Sequence, residues 1–175
     1  MEKASKRAVQ PKSVWLAEGA IFAAVYAVLT VALGYFSYGI IQFRISDAMI
    51  TLSALFGWPM IVGVTLGCFV ANFYSFILFP GPAILDVIFG SLANLLASGT
   101  IYVLRRWPPV GAFAATVIVT GIVGSYLPLL TGYPLPIAYL TVFVGSVISI
   151  LILGLVLLAV FRRIRLPGQW ILPES

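Results

Sequence analysis

Apolar positions fill this chain in six runs, at about 15–34, 43–57, 59–79, 84–104, 110–130 and 138–161. A helix needs roughly twenty such residues to cross the hydrocarbon of a bilayer, so each run predicts a membrane-spanning helix. The second run is short, and Gly57-Trp58-Pro59 separates it from the third. It is expected to be tilted or bent there. The breaks at 34–39, 58–59, 80–82, 107–109 and 132–136 are rich in Gly, Pro and Trp and predict turns. No internal repeat or low-complexity stretch interrupts the pattern. The expected architecture is an all-α membrane protein: one bundle of six transmembrane helices over residues 13–165, with short tails at 1–12 and 166–175.

The basic residues orient this bundle. Lys3, Lys6, Arg7 and Lys12 precede the first run, Arg105 and Arg106 follow the fourth, and Arg162, Arg163 and Arg165 follow the sixth. With six crossings these nine fall on one side and only Arg44 lies near the other. Basic residues accumulate on the cytoplasmic side, so both termini are expected in the cytoplasm. The basic start of the first run resembles a signal peptide, but no small-residue cleavage site follows it. It is expected to remain as an anchor.

Composition excludes several classes. The 175 residues are 62% hydrophobic and 9% charged, with a mean hydropathy of +1.12. A soluble domain is about 45–50% apolar and 25% charged. The chain has no histidine, which argues against haem ligation, histidine zinc sites and imidazole relays. A lone Cys68 supports neither a disulfide framework nor a thiolate cluster. No metal or cofactor is expected. The net charge of +5 gathers at helix ends, where it suits anionic lipid headgroups better than nucleic acid. No glycine-rich phosphate loop is present, so any use of ATP must come from other chains.

Two acids, Asp47 and Asp86, lie deep in the apolar runs. An ionised side chain in lipid costs about 2.5–3.5 kcal/mol on insertion scales, so such residues face a bundle interior or a wet cavity. Arg44, Asp47 and Thr51 are expected on one helical face. Either Arg44 and Asp47 form an inert local ion pair, or Asp47 faces a cavity and takes a cationic or hydrogen-bond-donating ligand. Asp86 either caps the fourth helix at its N-terminus or contacts a ligand, with Gly90, Ala93 and Asn94 near the same face. In the third run Thr65, Cys68 and Asn72 share a face, and Gly63, Gly67 and Ala71 form a small-residue stripe suited to close packing. A buried Asn72 needs partners for both its oxygen and its nitrogen. In the first run, Gly19-xxx-Ala23-xxx-Ala27 and Ala20-xxx-Ala24 either pack inside the bundle or, facing lipid, form a docking surface for another membrane protein.

The runs Phe43-Arg44-Ile45-Ser46-Asp47-Ala48, Gly63-Val64-Thr65-Leu66-Gly67-Cys68-Phe69-Val70-Ala71-Asn72 and Leu85-Asp86-Val87-Ile88-Phe89-Gly90-Ser91-Leu92-Ala93-Asn94 resemble the QueT-type substrate-binding components of energy-coupling-factor transporters, which take up queuosine precursors. The resemblance is carried by residues 15–104; the last two runs match by hydropathy alone. Asp47 stands where a glutamate is expected in that family, and Ser53-Ala54 where Leu-Pro is usual. The resemblance implies a prokaryotic multi-pass plasma-membrane protein, not an enzyme. It binds a vitamin-like small molecule from outside, and a transmembrane partner and two cytoplasmic ATPases supply the energy. It also implies that Ala20 and Ala24 dock to the transmembrane partner.

A 7-deazaguanine has a flat ring, several N–H donors and, in its aminomethyl form, a cation. Carboxylates and amides suit such edges. The candidate substrate-binding residues are Arg44, Asp47, Asn72, Asp86 and Asn94, with Phe43 and Phe89 for stacking. Phe73, Tyr74, Tyr126 and Tyr133 are further aromatics, and the segment around 35–42 is the candidate lid. Other readings stay open: a different cargo, such as a thiamine-related pyrimidine or a nucleobase; a stand-alone secondary carrier; an intramembrane enzyme with an acidic dyad; or a structural subunit without a ligand.

Overall fold

The computed structural model describes residues 12–34, 43–78, 81 and 83–164. Within them the six runs form six helices: α1 (Lys12–Ala32), α2 (Ile45–Phe56), α3 (Trp58–Leu78), α4 (Asp86–Val103), α5 (Pro108–Thr131) and α6 (Leu135–Arg163). Of the expected tails only Lys12 is described, as the first residue of α1. The candidate lid at 35–42 lies outside the described residues.

Five of these helices are long and apolar enough to cross a membrane, and α2 is not. It consists of eight residues of 3₁₀ helix followed by four of α-helix. At about 2.0 and 1.5 Å per residue that is about 22 Å, short of the roughly 30 Å hydrocarbon thickness. Of the six expected helices, five have the length of a span, and the second, read as short from the sequence, is the exception. Its place in the topology follows from its neighbours. Gly19 lies against Pro59, Gly63 against Gly19 and Phe22, and Gly67 against Ala23 and Tyr26. The contacts climb both helices together, so α1 and α3 run parallel, and the chain returns between them by way of α2.

Local chemistry sets the ends. Gly57, at φ 65°, makes the sharp turn from α2 into α3, a conformation that costs glycine nothing. Gly132, at φ 73°, closes α5 with its N–H on the Pro128 carbonyl, the left-handed cap that ends many helices. Pro134 and Pro136 then start α6, where a missing N–H is tolerated. The intimacy of α1 and α3 rests on small residues. A Cβ at Gly63 would stand 2.6 Å from Phe22 Cβ, and one at Gly67 2.6 Å from the Ala23 carbonyl. The small-residue stripe is therefore close helix packing, including Gly19 and Ala23 of the first run.

The outer surface carries large apolar side chains along the long helices, among them Ile21 and Val28 of α1, Phe69 and Phe73 of α3 and Phe113 of α5. Such a surface is built for lipid. At the end where α3 and α5 begin, Trp58 and Trp107 are exposed, and the Arg105 guanidinium lies 5.0 Å from the Tyr102 ring. Aromatics and arginines gathered at one level mark a membrane–water boundary.

The short helix occupies the middle. Every residue of α2 from Ser46 to Leu55 is buried, and its four polar members after Arg44 are tied to three different neighbours. Thr30 Oγ1 donates to the Tyr26 carbonyl at 2.9 Å, which leaves the Ser46 hydroxyl to donate to Thr30 at 2.7 Å. Tyr26 of α1 bonds Asp47. Thr51 donates to the Ile150 carbonyl of α6 at 3.0 Å, and Ser53 reaches the Ser98 carbonyl of α4 at 2.8 Å. Burying a hydroxyl in an apolar medium is unfavourable unless it is bonded, so these side chains fix α2 in register against α1, α4 and α6.

Candidate functional site

The N-terminal end of α2 carries two charges toward the bundle axis. Three residues per 3₁₀ turn stack Arg44, at the N-cap, over Asp47, and rotate Thr51 away by about 120°. This corrects the expectation that Arg44, Asp47 and Thr51 share a face: Thr51 points to α6. Asp86 begins α4 in a π-helical turn, Asp86–Gly90, of the kind that recurs at functional sites. Asp86, Gly90 and Asn94 all face inward from it.

Among the described residues Arg44 forms its ion pair with a distant acid, Asp86. Its Nη2 lies 2.5 Å from Asp86 Oδ2, with both side chains buried. Tyr126 of α5 donates to the other oxygen, Oδ1, at 2.6 Å. The Asp86 carboxylate is thus held between a guanidinium and a phenol, and the ion pair runs from Arg44 to Asp86 and not to Asp47. Charge-assisted bonds of this kind are the strong ones.

Asp47 has a separate set of partners. The Tyr26 hydroxyl donates to Asp47 Oδ1 at 2.5 Å, and Asn94 Nδ2 donates to the Tyr26 oxygen at 2.8 Å. Asn72 sits behind the ion pair. Its Nδ2 donates to the Asp86 carbonyl at 2.7 Å and to Cys68 Sγ at 3.3 Å, and Arg44 Nη1 approaches the same sulfur at 3.9 Å. Asn72 Oδ1 is buried with no hydrogen-bond partner among the described residues. Gly90 lets this cluster close, since a Cβ there would stand 2.8 Å from Asn72 Nδ2 and 3.3 Å from Asp86 Oδ1.

A hollow of about 20 Å³ adjoins these groups, the room of a single water. Arg44, Asp47, Asn94 and Ser146 line its polar side, Val119, Val123 and Val142 its apolar side, and Gly90 completes it. Three of the sequence-predicted residues, Arg44, Asp47 and Asn94, thus meet at one cavity. Asp86 and Asn72 stand just behind them. The two stacking candidates do not join. Phe89 is 40% exposed, its ring 5.9 Å from that of Tyr126, and Phe43 is half-buried away from the lining. Phe73 and Tyr74 are exposed as well. Ala20 and Ala24 are exposed on the face of α1 turned from the bundle, whereas Gly19 packs on α3.

Sequence reasoning missed Tyr26 as a polar residue, counted Tyr126 only as an aromatic, and did not select Ser146 or the three valines. Tyr26 carried a signal. A tyrosine inside a spanning helix needs a partner for its hydroxyl, and it stands one turn beyond the Gly19–Ala23 packing stripe.

The arrangement sets one carboxylate, a guanidinium, an amide and a hydroxyl around a partly open space with an apolar wall, groups suited to holding a polar, flat molecule. Among the described residues no group of three or more His, Cys, Asp or Glu could hold a metal. No solved structure matches the chain. A 79-residue stretch is 43% identical to the queuosine precursor transporter QueT of Lactococcus lactis subsp. cremoris (strain MG1363), covering 44% of this chain. The match spans less than half the length of that curated relative, 43% of it. Residues 16–163 match the family model described as QueT transporter, and the chain belongs to that family of transporters.

Proposed function

We propose that the chain is the substrate-binding membrane subunit of an energy-coupling-factor importer, and that it captures a queuosine precursor of the 7-deazaguanine type from the outer side. The observation that carries this reading is the convergence of Arg44, Asp47 and Asn94 on one hollow beside a valine wall. The Asp47 carboxylate accepts N–H donors of the cargo, an amide serves donors and acceptors alike, and valines take the faces of a flat ring. The likeness to the Lactococcus queuosine precursor transporter supports this cargo.

A bicyclic ring is several times larger than one water, so the cargo enters when the walls part. The polar side is held by hydrogen bonds to α1, α4 and α5. The valine side, between α5 and α6, is held by dispersion and yields first. Both termini lie in the cytoplasm, and Arg105, Arg106, Arg162 and Arg163 anchor that side. Ala20 and Ala24 dock α1 to the transmembrane partner, and two ATPases supply the energy.

Mass spectrometry of small molecules that copurify with the detergent-solubilised protein tests the cargo. A deazapurine is expected; a thiamine-like pyrimidine or a nucleobase overturns it. Uptake into proteoliposomes tests the motor. Transport is expected only when the ATPase-bearing partners are reconstituted, and uptake by this chain alone makes it a secondary carrier.

A further inference from the structure

The charges around the hollow do not balance. Among the described residues, Arg44 is the one basic side chain buried in the bundle, and it faces two buried acids, Asp47 and Asp86. Its Nη2 is spent on Asp86, whose second oxygen is filled by Tyr126. Asp47 is served at Oδ1 by the Tyr26 hydroxyl, is also reached by Asn94, shares the single Arg44 charge with Asp86, and lines the hollow itself. The remaining lining groups, Asn94, Ser146, Gly90 and the three valines, carry no charge. A carboxylate held out of water without its full counter-charge is unfavourable, and a cation that reaches it supplies what the protein omits.

We propose that Asp47 selects a positively charged cargo, seating an ammonium group of the ligand against its carboxylate, so that the aminomethyl form of the precursor is taken in preference to neutral forms. This rests on the deazaguanine reading above and narrows it to one chemical class. Asp86 has a different task. With both oxygens already bonded, it holds the Arg44 guanidinium and leaves Asp47 as the acceptor. Ser146, buried on α6, supplies a further hydroxyl oxygen at the same hollow for the N–H donors of an ammonium.

Calorimetric titration of the purified, detergent-solubilised chain with three probes decides the matter: 7-aminomethyl-7-deazaguanine, its neutral 7-hydroxymethyl isostere and the neutral 7-cyano compound. The wild-type protein is expected to bind the aminomethyl probe at least tenfold more tightly than either neutral probe. Asp47→Asn should bring the three within about threefold of one another, and Asp47→Glu, which retains the charge, should retain the preference. Thermal melting of each variant checks that it is folded, and the wild-type ranking stands as a test even if Asp47→Asn fails to fold. A neutral probe binding as tightly as the amine overturns the proposal and leaves the deazaguanine reading intact. A preference that survives in folded Asp47→Asn overturns the assignment to Asp47. If no probe binds, both readings fall together.

Discussion

The Tyr26 hydroxyl sits 2.5 Å from Asp47 Oδ1 although the two residues are 21 positions apart. The bond ties α1 to the short central helix and sets the carboxylate at the edge of the hollow. Tyr26 is fully buried, so Tyr26→Phe keeps the ring packing and removes only the hydroxyl. That leaves the carboxylate short of a donor and Asn94 Nδ2 short of its acceptor. Leaving such buried groups unmade costs about 1–3 kcal/mol. Chemical unfolding in detergent should show a loss of that size, together with weaker binding of the cargo. An unchanged unfolding midpoint would mean the hydroxyl does not support Asp47.

The Arg44–Asp86 pair predicts strong coupling. Removing one partner of a buried ion pair strands the other charge and costs about 3–5 kcal/mol. Arg44→Met and Asp86→Asn should each destabilise by an amount in that range. The double variant removes both charges at once, so its loss should fall short of the sum of the single losses by about 0.5–3 kcal/mol. A double-mutant cycle on unfolding free energies measures this directly, and strictly additive losses would contradict the pairing.

Two glycines with opposite surroundings separate packing from backbone effects. A side chain at Gly67 would meet the Ala23 carbonyl at 2.6 Å and Tyr26 Cβ at 2.8 Å, so Gly67→Val must push α1 and α3 apart. Overpacking of this kind costs about 1–3 kcal/mol. Gly99 on α4 has nothing within 4 Å of the Cβ position. There Gly99→Ala should be neutral or stabilising by up to about 1 kcal/mol, because alanine is the better helix former. Thermal melting should rank the wild type between the two variants.

The five long helices were legible because each spanning run is a solid apolar block, and the Gly57, Pro80–Pro82 and Gly132 breaks punctuate them. Asp47, Asp86, Asn72 and Asn94 were legible for a related reason: in lipid a polar residue has few harmless places to go. What could not be read was who pairs with whom. Arg44 stands three residues from Asp47 but bonds Asp86, 42 residues away, because the packing of α4 against α2 brings the Asp86 carboxylate to the guanidinium. Hydropathy carries no record of that choice. Nor could it show Val119, Val123, Val142 and Ser146 meeting the acids, since contacts of α5 and α6 with α2 depend on helix rotation inside a uniformly apolar stretch. Phe89 failed for the same reason: its helix faces were indistinguishable until Asp86 and Asn94 fixed which one turns inward.

The small residues of α1 fall on two faces, one packed on α3 and one exposed, and this allows binding and transport to be tested separately. Gly19 is buried against Pro59 of α3, whereas Ala20 and Ala24 are exposed and touch none of the groups around the hollow. A bulky residue on the outer face therefore has nothing to disturb within the bundle. Ala20→Trp should leave the melting temperature and the cargo affinity of the isolated chain unaltered. If close approach of a partner helix through this stripe is how the chain engages its transporter, the same substitution should abolish copurification with the transmembrane partner and ATP-driven uptake. Ala23→Trp makes the contrasting control: it lies next to Gly63 and Gly67 of α3 and should unfold the bundle itself. Uptake at the wild-type rate by Ala20→Trp would remove this face of α1 from the docking surface while leaving the ligand site untouched.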